Sequence, residues 1–144
     1  MEKNESLKLE NQLCFPLYAA SRMVTKCYQP ILESLGITYP QYVVLMVLWG
    51  KDDINLSLLS EKLFLQSNTL TPLLKRMEMM GLISRKRSEK DERSITISLT
   101  KKGEKLKEDA PKLHSQLINH MGITVEDAIN LRFLLNKLIL NIEN

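Results

Sequence analysis

Cysteine is scarce in this chain: 144 residues hold only Cys14 and Cys27, both near the N-terminus. With two thiols a disulfide framework is excluded, and a reducing, cytoplasmic setting is expected. No apolar run approaches the roughly 20 residues that span a bilayer, so no membrane association is expected. The N-terminal stretch MEKNESLKLENQ is too polar for a signal peptide. Histidine is equally rare. His114 and His120 are six positions apart, outside the i+3 and i+4 spacings that put two ligands on one helical face. No metal site is expected. The sequence also lacks a glycine-rich phosphate loop, paired catalytic carboxylates and a Ser-His-Asp pattern, so it predicts neither a cofactor nor an enzyme. Internal repeats, low-complexity tracts and flexible linkers are missing too, which leaves one domain by length.

What the chain does have is concentrated charge. Residues 75–102 carry nine Lys or Arg against four Asp or Glu, a net of +5, while the whole chain is only +3. Everything outside that window therefore sums to −2. Positive charge gathered on one unit is the electrostatic footprint of a nucleic-acid surface. The local pattern says what the unit is. Residues 56–64 read as a short helix with Leu59 and Leu63 inward. After a turn at Leu65 and Gln66, Ser67 or Thr69 caps a second helix, with Pro72 limiting how late it starts. Leu70, Leu73, Leu74 and Met77 form its inward stripe, and Gly81 ends it. Two short helices around a tight turn suggest a helix-turn-helix. Residues 94–99 then alternate strictly, Ile95, Ile97 and Leu99 against Ser94, Thr96 and Ser98, the period of a half-buried strand. Paired with residues 82–87 across a charged turn, they make a ribbon, the wing of a winged helix.

The flanking segments read as helices. Residues 9–35 show Leu9, Leu13, Leu17, Ala20, Val24 and Ile31 near the helical period, with Pro16 starting, kinking or breaking it. Thr38 caps a helix with Pro40 in its first turn, and another helix covers residues 101–120. Thr124 and Asp127 open the last one, whose apolar face carries Ala128, Leu131, Leu134, Leu135, Leu138 and Ile142. The expected class is mainly α with a small β-ribbon: a winged helix-turn-helix over about 38–105, between helices over about 7–35 and 106–144. The terminal helices hold more Leu and Ile than a small winged helix needs, so a homodimer is expected.

On winged-helix geometry the leading end of the second helix enters the major groove of double-stranded DNA. Ser67, Asn68, Thr69 and Thr71 are then candidates for base contacts, and Lys75 and Arg76 for phosphates. Arg85, Lys86 and Arg87 extend the basic surface. Taken alone such a run reads as a solvated face; the helix-turn-helix before it and the strand after it favour DNA. Arg93 is the candidate for minor-groove insertion, with Asp91 fixing the turn by pairing with a neighbouring arginine. Two heads about one helical turn apart, roughly 34 Å, favour a pseudopalindromic operator.

The wing and recognition helix, DERSITISLTKKG preceded by LTPLLKRMEMMGLISRKRS, resemble those of the MarR family of dimeric transcription regulators. Asp91 and Arg93 belong to that pattern. The segments LENQLCFPLYAASR and ITYPQYVVLMVLW are similar to the OhrR branch, whose members sense organic hydroperoxides through one N-terminal cysteine. The resemblance spans about residues 9–105. It implies that Cys14 is the peroxidatic thiol, that Tyr28 and Tyr39 hydrogen-bond it, and that the protein is a repressor leaving DNA once Cys14 is oxidised. Pro16 departs from the aliphatic residue expected there. It either reshapes the pocket or sets Cys14 at a helix start.

On a continuous helix Tyr28 stands about 21 Å from Cys14, so only a partner's Tyr28 and Tyr39 could approach it. Read without the resemblance, Cys14 is a small buried hydrophobe, and Cys27 keeps that reading. With no cysteine after Cys27, and so no resolving thiol in the C-terminal half, oxidised Cys14 is expected to be capped by a small thiol or oxidised further. A Cys14–Cys27 bridge between subunits stays open. Two rival readings remain: a regulator answering a small molecule near Tyr39 and Trp49, and a thiol peroxidase, for which the scaffold and resolving cysteine are missing.

Overall fold

A computed structural model describes residues 4–144. Among them are seven α-helices and three short strands. In chain order they are α1 (Cys14–Ser34), α2 (Tyr39–Gly50), β1 (Ile54–Asn55), α3 (Leu56–Leu63), α4 (Ser67–Met79), β2 (Ile83–Arg87), β3 (Ile95–Leu99), α5 (Lys101–Lys105), α6 (Ala110–Met121) and α7 (Val125–Glu143). The strands form one antiparallel sheet in the order β1-β3-β2. No single helix is long and apolar enough to cross a membrane, and α1 and α2 are bent by 77° relative to each other.

Helix ends follow local chemistry. α1 begins at Cys14, later than the periodicity from Leu9 suggests, and two 3₁₀ turns, Glu5–Leu7 and Leu9–Asn11, precede it. Proline explains the shift. A helix running from Leu9 would need an N–H at Pro16, whereas at the third helical position that N–H has no partner to lose. Pro30 does lie inside α1 and leaves the Lys26 carbonyl without its helical donor. α1 ends in a Schellman turn: Gly36 N–H donates to Glu33 O at 3.0 Å and Ile37 N–H to Leu32 O at 3.1 Å. α4 ends the same way, through Gly81 to Glu78 O at 2.9 Å and Leu82 to Met77 O at 3.0 Å. Gly36 and Gly81 hold φ of +71° and +73°, where a Cβ would be strained. The last helix is capped by Thr124 Oγ1, which accepts the Asp127 N–H at 3.0 Å.

Three further expectations change. The cap of α4 is Gln66, with Ser67 and Thr69 already helical. Thr69 and Leu70 donate instead to the Gln66 main-chain carbonyl, at 3.0 and 3.1 Å. The helix expected over 101–120 is split into α5, a 3₁₀ turn at Leu106–Glu108 and α6, which has Pro111 in its first turn. β1 is new: two residues pair with the far edge of β3, Ile54 opposite Ile97.

The core lies in the middle of the chain. Leu32, Val44, Leu45, Leu48, Ile54, Leu59, Leu70, Leu74, Met77, Leu82, Ile83 and Ile97 are fully buried. No described residue before Tyr28 or after Leu117 belongs to it. Leu13, just before α1, and Phe15, Tyr18 and Met23 in its first half are exposed, as are Leu131, Phe133, Leu134 and Ile142 of α7. Apolar surface on this scale is costly to leave in water.

One glycine is dictated by contact. A Cβ on Gly103 would stand 2.2 Å from the Leu82 carbonyl oxygen, so α5 meets the base of the wing only without a side chain there. Gly103→Ala is expected to destabilise the fold by about 2 kcal/mol or more. A lower urea midpoint at unchanged m-value, read by circular dichroism, checks it.

Candidate DNA-binding surface and thiol site

The approach to α4 is built from α3. Asn55 Oδ1 accepts the Leu58 N–H at 2.7 Å and caps α3. Its far end turns through Phe64, a non-glycine residue at φ +53° with an exposed ring, a strained position for an aromatic side chain. Leu65 N–H closes the turn on Ser60 O at 3.2 Å, and the Ser60 hydroxyl donates to the Leu65 carbonyl.

On α4, Leu70, Leu74 and Met77 are buried, which turns Asn68, Pro72, Lys75, Arg76 and Met79 to solvent along the opposite side. Ser67 and Thr69 are exposed at the leading end. Thr71 is half-buried, and its hydroxyl donates to Ser67 O at 2.8 Å.

The wing pairs Ile83 with Leu99 through Arg87 with Ile95. Lys86, Arg87 and Arg93 are exposed. Asp91 Oδ1 accepts the backbone N–H of Arg93 at 3.0 Å, so it shapes the turn through the main chain rather than through a guanidinium. Arg85 differs from its neighbours. Its guanidinium reaches Glu78 Oε1 at 3.2 Å with its side chain only 20% exposed, which takes it out of the free basic surface. Two-residue alternation explains this: Ile83 faces the core, so Arg85 turns toward α4 and Lys86 away.

The thiols lie apart. Cys14 is the first residue of α1 and exposed; Cys27 is half-buried against the core. One unbroken helix separates them, about 19 Å, so no bridge forms within the chain. The same helix keeps Cys14 from Tyr28. Tyr28 and Tyr39 do meet, with ring centroids 5.0 Å apart. Tyr42 sits 5.9 Å from Tyr28 and 6.0 Å from Trp49, whose indole N–H donates to Gly103 O at 3.0 Å. Tyr42 and Trp49 are not among the candidate thiol-site residues; their spacing of seven puts them on one face of helix α2 but does not say against what. Tyr18 stacks under Arg22, 4.8 Å from its ring centre. A groove of about 380 Å³ along α1 is lined by Arg22, Lys26, Glu33 and Tyr39, among others. No group of three or more His, Cys, Asp or Glu among the described residues could hold a metal ion.

The family model for the SarA/Rot transcriptional regulators matches residues 26–110. The organic hydroperoxide resistance transcriptional regulator of Bacillus subtilis (strain 168) is 50% identical over 137 residues, covering 95% of this chain and 93% of that one. The chain belongs to the MarR-type winged-helix transcriptional regulators. Among solved structures the regulator is similar to reduced AbfR bound to DNA: 33% identity, 99% and 97% coverage, TM-score 0.81. The disulfide form of AbfR, at 33% identity with 98% and 94% coverage, gives a TM-score of 0.63. A MarR regulator of Methanosarcina mazei Go1 is 27% identical, with 88% and 92% coverage and a TM-score of 0.75.

Burial gives the regulator's tyrosine cluster a measurable property. The Tyr28 hydroxyl is pushed up to about 12, first by desolvation and then by Tyr39 and Tyr42; burial also raises Tyr42. A folded chain therefore keeps the Tyr28 proton where an unfolded chain, at about 10, releases it. Its contribution to stability is full below pH 10 and is lost as pH climbs toward 12. Unfolding free energies of the wild type, from urea titrations, should fall across that window relative to Tyr28→Phe, by at most about 1.4 kcal/mol per pH unit.

Proposed function

We propose that this regulator is a homodimeric DNA-binding repressor, released from a pseudopalindromic operator when organic hydroperoxide oxidises Cys14. One observation carries the reading: Cys14 opens α1, while Tyr28, packed against Tyr39 of α2, lies about 21 Å further along that same continuous helix. They can meet only between two copies. Antiparallel α1 helices would set Cys14 beside Tyr28 of the partner subunit and cover the exposed Leu13, Phe15 and Tyr18. The 50% identity to a regulator named for organic hydroperoxide resistance supports the choice of oxidant, and the similarity to DNA-bound AbfR supports the choice of partner.

The chemistry needs no cofactor. The Cys14 thiolate attacks the terminal oxygen of the hydroperoxide, an S–O bond forms, the O–O bond breaks, and the alkoxide leaves as the alcohol after taking a proton. A small thiol then condenses with the sulfenic acid, giving a mixed disulfide and water. Either product adds bulk and polarity between two helices and shifts the spacing of the two α4 heads. On DNA, Ser67, Asn68, Thr69 and Thr71 face bases, Lys75, Arg76, Lys86 and Arg87 face phosphates, and Arg93 enters the minor groove, with Asp91 shaping its turn.

Fluorescence anisotropy on DNA from upstream of the regulator's own gene tests this, with cumene hydroperoxide and a small thiol present. Wild type should lose binding at least tenfold while Cys14→Ser holds it; equal binding in both, with Cys14 oxidation confirmed by mass spectrometry, would remove the redox mechanism and leave a ligand-controlled regulator. Separately, Lys86→Ala should weaken binding to all sequences alike and reduce the salt slope by about 1.

A further inference from the structure

Glu78 belongs to the last turn of α4, and Arg85 is the third residue of β2. The carboxylate holds Arg85 at two points: Oε2 accepts its backbone N–H at 3.0 Å, and Oε1 accepts from Nη2 at 3.2 Å. A single hydrogen bond is a pivot, whereas two in different directions fix an orientation. The backbone contact has a reason in the strand register. Across the ribbon, Thr100 N–H donates to Leu82 O and Ser88 N–H to Ser94 O. Even-numbered residues of β2 thus face β3, and the N–H of Arg85 points off the free edge of the sheet. Glu78 closes that edge.

As a stabilising device the pair is poor. Arg85 Nε is buried without an acceptor, and an incompletely satisfied, half-buried ion pair returns little net stability. What it supplies is direction. The ribbon's other anchors, the turn at residues 80–82 and the buried Ile83 and Ile97, lie at its base, up to about 20 Å of strand from the tip. A small rotation at that base displaces Arg93 by several ångströms.

We propose that Glu78 and Arg85 are a positioning pair, locking the wing to the recognition helix so that Arg93 and α4 meet DNA in register. This rests on the reading that Arg93 contacts DNA, and a double-mutant cycle separates the two. The full-length protein is measured by anisotropy on the same upstream duplex as wild type, Arg93→Ala, Glu78→Ala and the double variant, with melting curves for each. Comparing ratios cancels any direct effect of removing the Glu78 charge near phosphates. Arg93→Ala should cost about tenfold in the wild-type background and less than about threefold beside Glu78→Ala. Glu78→Gln, which keeps an acceptor for the backbone N–H but loses the ion pair, should fall between and serves if Glu78→Ala does not fold. Equal losses in both backgrounds would overturn the positioning role while the DNA reading stands. No loss on Arg93→Ala in wild type would overturn both.

Discussion

The carbonyls of Met80, Gly81 and Leu82, last acceptors of the recognition helix and first of the wing, are all taken by one short stretch of chain. Lys102 Nζ donates to Met80 O at 2.8 Å, Thr100 Oγ1 to Gly81 O at 2.6 Å and Thr100 N–H to Leu82 O at 3.1 Å. Thr100 Oγ1 also accepts the Gly103 N–H at 3.1 Å, and so caps α5. A helix end, two strands and the start of the next helix are thereby joined through main-chain acceptors that the end of α4 leaves without helical donors. The close approach of Gly103 to Leu82 allows this, and Trp49 extends it to α2 through the Gly103 carbonyl. This knot fixes the far end of the recognition helix, while its leading end is held by the burial of Leu70 and by the turn through Phe64 and the Gln66 carbonyl.

Around that knot the burial is uneven in a way that bears on function. The winged-helix centre is closed, with Val44, Leu45, Leu59, Leu70, Met77 and Ile97 shut from water. Its outer helices are not. The exposed side chains of α1 and α7 lie at the two ends of the chain. In the proposed dimer those helices are interface, and the thiol sits at their margin. A sensor there couples to DNA through the relative placement of two closed bodies, without any need to disturb either core. The aromatic run from Tyr39 and Tyr28 through Tyr42 to Trp49 ends on Gly103, which links the tyrosine pair physically to the base of the wing.

Much of this was legible along the chain. The inward stripe of α4, the alternation of β3, the glycine stop at Gly81 and the Thr124 cap depend on residues within one or two turns, and periodicity reports them. Pro16 marked the region where α1 starts, although only the structure chose between a start and a kink. The charge run misled at one position: Arg85 looked like its neighbours, yet the two-residue alternation from Ile83 already carried the signal that it faces inward. β1 was invisible because two residues have no period. Gln66 carries no cap signature because its main chain, not its side chain, accepts the helical N–H groups.

Local order, then, follows from the sequence: which segments are helix, where they stop, which face of each is apolar, and where positive charge gathers. Tertiary structure alone decided the partners. Glu78 with Arg85, Asp52 with Leu99 N–H at 2.8 Å, Trp49 with Gly103 and Ile54 with Ile97 are separated by 7, 47, 54 and 43 positions. The reason is physical. Backbone periodicity is set by neighbours a few residues away, whereas a long-range contact depends on how several finished elements come to rest against one another.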